Sequence, residues 1–209
     1  MTPLATFEQV CARCDLLSAI HAYLAANASG ALQPDEVLRA EWVARVSALD
    51  LYVHELVAQR MVLVHAGKLA ATAQFNAFKI KLDTVDRIRA APSVSDALSA
   101  FDLDVRTQLS FVTYQDPDKI AEGIRLVSSS ELWNEIAIHQ GATSATKTAR
   151  AKGIRSNLSA IVSRRNKIAH EGDLQPSIPR TPWPVSQNDL NDVRVFIERL
   201  VRSIDSVIW

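Results

Sequence analysis

The chain has 209 residues, with 23 Lys and Arg against 23 Asp and Glu, and therefore no net charge. A hydrophobic share of 48% with only six glycines suits one packed helical core, or one domain with a helical extension. No apolar run approaches a membrane span, and Met1-Thr2-Pro3-Leu4 has neither a basic start nor a hydrophobic signal core, so the expected setting is the cytoplasm, without membrane contact.

In chain order, residues 7–28 predict a first amphipathic helix closed by Gly30. Pro34-Asp35-Glu36 opens a long helix running to about Ala66, since Pro suits a first turn and acids suit its positive end. Residues 72–90 read as helical. Pro92-Ser93 breaks the chain, and Ser95 is the expected cap of a helix over about 95–110. Phe111 to Gln115 is short, β-branched and aromatic, and stays open between strand and loop. Asp116-Pro117 starts a helix ending near Val127. Ser128-Ser129-Ser130 is expected to cap a short helix through His139, with Gly141 as its stop. A longer helix follows over about 144–171. Pro176, Pro179, Pro182 and Pro184 make a connector that cannot be helical, and Ser186 with Asp189 predicts a capping box for the last helix, to about Val207. No repeats and no series of strands are present. The expected class is all-α.

The two cysteines, Cys11 and Cys14, are spaced as Cys-x-x-Cys, which serves redox chemistry or half a zinc site. No second pair exists and His21 is the only histidine near them, so helix packing is the better account. No cofactor or metal is expected.

The most informative stretch is Arg165-Asn166-Lys167-Ile168-Ala169-His170. With 16 Arg and 5 His in the chain, about one chance Arg-x4-His match is expected in two such chains. A second match does occur, from Arg60 to His65. Context separates them. Ile154, Leu158, Ile161, Val162, Ile168 and Ala169 form one apolar stripe, and Arg165 falls in its middle. Such an arginine needs a buried acid, or an interface or cleft where an anion arrives. Asn166 and His170, four apart, share a face at the stripe's edge, while Lys167 points to solvent. His170 sits in the last turn before Gly172, where free carbonyls favour a protonated imidazole; it is either a proton-transfer group or only a cap. Arg60 lies on an apolar stripe with Trp42, Val46, Leu49, Val53 and Leu56, and the four residues between it and His65 are all apolar. It reads as a structural or supporting charge.

From Ile136 to His170 there is no acid and there are seven bases: Lys147, Arg150, Lys152, Arg155, Arg164, Arg165 and Lys167. This one-signed segment fits a phosphate-backbone surface, or a solvated face balanced by acids from elsewhere.

The Arg165–His170 pattern resembles the signature of the HEPN superfamily. Ala48 through Val57, Asp118-Lys119-Ile120, Leu132-Trp133, Arg164 through Glu171 and Trp183-Pro184 are similar to its RiboL-PSP-HEPN branch, over roughly residues 46–205. Residues 1–40 are expected as an N-terminal helical extension packed on the bundle, and 41–209 as the HEPN-like domain. The resemblance implies long antiparallel helices and a homodimer whose two motifs face each other. It also implies RNA as substrate, cleaved without a metal, in phage defence, toxin–antitoxin pairs (with an antitoxin or defence partner) or RNA processing. Carried over, it makes Arg165, Asn166 and His170 the catalytic candidates and Arg164 a phosphate contact, with Lys167, Arg155 and Lys152 as further RNA-binding candidates. Asp50 and His54, one turn apart, are either a support to the site, with Arg60, or a packing pair. The alternative function is a non-catalytic helical module that binds RNA or a protein.

Overall fold

The computed structural model describes residues 1–27 and 32–209. Among them there are nine helices and no strand beyond one isolated bridge, from Leu174 to Pro182, as the composition and periodicity imply. The helices are α1 (Pro3–Asn27), α2 (Asp35–His65), α3 (Ala73–Asn76), α4 (Leu82–Arg89), α5 (Val94–Leu109), α6 (Pro117–Arg125), α7 (Leu132–His139), α8 (Lys147–Glu171) and α9 (Gln187–Ile208). The expected stop of the first helix at Gly30 lies outside the described residues.

The 31 residues of α2 make a rod of about 46 Å at 1.5 Å per residue. Helices α1, α5, α6, α8 and α9 all pack against it. Val46, Leu49, Val53, Leu56 and Val57 are completely buried in the main core, because a helix surrounded on several sides must be apolar on several faces. Phe7 and Cys11 of α1 belong to that same core. Arg45, 1% exposed, donates to Glu41 and to Asp15 of α1, which also pairs with Arg194 of α9. Such a charge stays in the interior only because carboxylates neutralise it there.

Several boundaries differ from the sequence reading. The segment 72–90 is two short helices with a break over residues 77–81. Thr72 caps the first and donates to the carbonyls of Arg125 and Leu126, while the Lys79 carbonyl in the break accepts from Gln108. Phe75, Phe78 and Ile80 pack on the core with a spacing that no single helix delivers. Ser93, not Ser95, caps α5, since its extended backbone aims Oγ at the Asp96 N–H. Ser128 and Ser130 bond each other in a turn of their own, and α7 starts after Glu131 without a side-chain cap. The segment 111–115 is turn, with Phe111 exposed and Tyr114 buried. Asp116 and the Ser186–Asp189 capping box act as read from the sequence.

The Tyr114 ring packs against Gly123 of α6. A Cβ at position 123 would stand 2.5 Å from the Tyr114 ring, closer than any packed carbon tolerates. Gly123→Ala is therefore expected to displace a buried ring and lower stability by about 1–3 kcal/mol, read as a reduced midpoint in urea unfolding with an unchanged slope. Cys11 and Cys14 face the interior from α1. Both thiols are buried and free, and burial pushes the Cys11 pKa up from 9.0 to about 12. The folded chain thus keeps a proton that the unfolded chain releases, so this contribution is intact below pH 9 and is lost as pH rises toward 12. At pH 8 native protein should resist alkylation by iodoacetamide that the urea-unfolded chain undergoes rapidly.

Candidate active site at the end of α8

Helix α8 is seated one turn before the motif. The Trp42 indole of α2 donates to the Ile161 carbonyl at 3.1 Å, and Ile154, Leu158, Ile161 and Val162 are buried. The stripe then leaves the bundle: Ile168 is half-buried and Ala169 is exposed. The helix stops at Gly172, whose φ of 64° is the left-handed value that glycine adopts without a Cβ clash. Asp173 is left-handed too, at φ 56°, and its N–H returns to the Lys167 carbonyl at 3.0 Å, which caps the final turn.

Asp173 is the anchor of this region. Its side chain is 0% exposed; Oδ2 accepts from Arg39 of α2 at 3.1 Å and from Arg164 at 2.7 Å. Both arginines also donate to the Trp183 carbonyl, and Arg164 to that of Pro184. Arg164 further lies over the Trp42 ring, 5.9 Å from its centre. The Trp183 N–H bonds the Asp173 carbonyl at 2.7 Å and the Gln175 N–H that of Thr181 at 2.8 Å, closing the proline-rich connector onto the helix end. Arg164, expected as a phosphate contact, is thus committed to the fold. The buried salt bridge considered for Arg165 belongs to its neighbour. Arg39 and Asp173 escaped the sequence reading because 134 residues separate them; the only local hint was an acid directly after a helix-stopping glycine.

Arg165 has no carboxylate partner among the described residues. Its one hydrogen bond runs from NH1 to the Asn166 side-chain oxygen at 3.1 Å, and its Nε–H is buried without an acceptor. Asn166 therefore holds Arg165 and makes no bond to His170. Asn166, Lys167 and His170 are exposed, with the Lys167 ammonium 6.0 Å from the centre of the Trp183 ring. One end of α8 thus offers an unneutralised guanidinium, an amide that orients it and a solvent-facing imidazole, three groups that bind an anion and move a proton.

The other candidates lie elsewhere. Asp50 and His54, 3.6 Å apart, serve the loop ahead of α6: Asp50 accepts from the Tyr114 N–H and from Gln115, and His54 meets the Tyr114 ring edge-on at 4.6 Å. Arg60 is buried over the ring of Trp209, 5.0 Å from its centre, with no acceptor for its Nε–H, and burial lowers its pKa. His65 stacks on Phe101 at 4.1 Å. None of these contacts involves the motif. Arg155 pairs with Asp118 at 2.6 Å and, with Lys152, faces a groove at the other end of α8. No three metal-ligating side chains converge among the described residues, and no helix among them is long and apolar enough to cross a membrane.

The RiboL-PSP-HEPN family model matches residues 12–209. The chain belongs to this family, and the match begins inside α1, upstream of the stretches that first carried the likeness. No curated protein and no solved structure matches the chain.

Removing one member of a buried charge cluster leaves the others unpaired. Asp173→Ala is expected to cost about 3–5 kcal/mol, measured by chemical denaturation, because Arg164 would lose its carboxylate and Arg39 would keep only the more exposed Glu36. A loss below 1 kcal/mol would show that Asp173 does not hold this region together.

Proposed function

We propose that the protein is a metal-independent endoribonuclease acting as a homodimer, with Arg165, Asn166 and His170 of each copy as its chemical groups. The observation that carries this reading is the contrast between two adjacent arginines. Arg164 has its charge neutralised by the buried Asp173, whereas Arg165 is half-buried and has no acid among the described residues. A half-buried guanidinium without a counter-charge is costly to hold away from water, and a phosphate or a group of a second subunit would supply the partner that one chain lacks. The half-buried Ile168 and the exposed Ala169 beside it suit a two-fold contact that brings two motifs together.

The chemistry follows from the groups. The RNA 2′-oxygen attacks the adjacent phosphorus while its proton passes to one imidazole. The phosphorus–5′-oxygen bond breaks as an imidazolium protonates the leaving oxygen. Charge on the phosphorane is met by the guanidiniums, each steadied by its Asn166. One copy supplies a single imidazole; two supply both the base and the acid. The products are a 2′,3′-cyclic phosphate and a 5′-hydroxyl. A role as a toxin or phage-defence effector, with a cognate protein partner, is the setting this activity would serve.

Purified protein incubated with mixed cellular RNA in EDTA is expected to leave cyclic-phosphate ends. His170→Ala should lower the rate by about 10²–10⁴-fold, and Arg165→Ala should do so without loss of folding, since Arg165 makes no ion pair. Equal cleavage by parent and His170→Ala protein would remove His170 from the chemistry. Absence of cleavage by either would favour the RNA- or protein-binding module.

A further inference from the structure

A groove of about 740 Å³ opens between α6, α7 and α8, at the far end of α8 from the motif. Its volume lies within the range of about 300–1,000 Å³ typical of small-ligand sites. Trp133 and Asn134 of α7 line it, with Arg125 at the end of α6 and Lys152 and Arg155 of α8. Ala121 and Ala151 form part of the floor, and their small side chains leave the depth open. Among the described residues the Trp133 indole N–H has no acceptor, and the ring is held there by packing. Among the described residues neither Arg125 nor Lys152 pairs with a carboxylate, while Asp118 steadies Arg155 at 2.6 Å. The Asn134 amide, braced by Glu131 at 2.8 Å, and the hydroxyls of Ser128 to Ser130 add polar groups at the rim.

An aromatic face beside unneutralised cations recognises a base joined to a phosphate: stacking is tolerant of sequence, and the cations meet the backbone. We propose that this groove seats one nucleotide unit, its base against Trp133 and its phosphate on Arg125 and Lys152, and that the unit belongs to a single-stranded RNA. The choice of RNA as source rests on the ribonuclease reading. Geometry supports it, since α8 carries both places. Arg155 and Arg165 stand about 15 Å apart along the axis at 1.5 Å per residue and about 80° apart around it, so a strand that winds partway round the helix reaches both. The groove would then select unpaired RNA, because a base inside a duplex cannot reach Trp133.

The test uses full-length His170→Ala protein, a short labelled single-stranded RNA in EDTA, and AMP as a separate probe. Trp133→Leu and Lys152→Ala are each expected to weaken RNA binding by about tenfold. Lys152→Ala should also lower the slope of log affinity against log salt by about 1. Lys152 is exposed, so its variant reports binding rather than folding. Unchanged RNA affinity and salt slope in both variants, with no binding of AMP, would overturn the site. AMP binding lost in both variants while RNA affinity is unchanged would keep the nucleotide groove and overturn its RNA source. Cleavage by the parent chain is scored separately. Variant-sensitive binding without cleavage would retain the groove and sink the nuclease, and cleavage with unaffected binding would do the reverse.

Discussion

A carboxylate with no access to water survives ionised only where cations and hydrogen bonds replace its hydration. Asp173 meets that condition at Oδ2, through Arg39 and Arg164, while its buried Oδ1 has no partner among the described residues; three parts of the molecule are held by the result: the first turns of α2, the last turns of α8 and the start of the proline-rich connector. Their relative placement sets the direction in which the end of α8 leaves the bundle. The left-handed pair Gly172 and Asp173 is the local condition for it, since the chain must turn sharply to bring the carboxylate back beneath the helix it has just left.

The same anchor divides labour between neighbours. Two arginines adjacent on a helix point about 100° apart, so only one could turn toward Asp173. Arg164 took the fold, and Arg165 was left with an amide for company. A guanidinium in this state is poised for an anion. Ile168 beside it is half-buried and Ala169 exposed, so the dimer contact proposed above would lie next to the proposed anion site. That coincidence makes a shared site physically economical: the contact that covers Ile168 and Ala169 would also bring a second imidazole to the first.

The acid-free run of seven bases is one stretch of chain but not one surface. Asp173 neutralises Arg164 and Asp118 meets Arg155, while Lys152 faces a groove walled by α6 and α7. The run therefore resolves into two polar regions at opposite ends of α8, one with an imidazole and one with an indole.

Helix starts and stops were legible in the residues wherever the deciding bond is local. Ser186 with Asp189, Asp116 before Pro117 and Gly172 all act within two to five residues of themselves. The helical class, the long central helix and the candidate motif were legible for the same reason, since periodicity and spacing are properties of neighbouring residues. Where distant groups competed, local reading failed: the break at 77–81 exists because Gln108 and the core claim that backbone. The roles of Arg164 and Arg165 could not be told apart along the chain, because both are arginines on the same turn. Tertiary structure decided between them, through a carboxylate nine residues away in sequence from Arg164 and an arginine 134 residues away from that carboxylate. By itself, then, the sequence determined which segments coil and which groups are available for chemistry. Which of those groups stay free to act was decided only when burial forced each charge to find, or to lack, a partner.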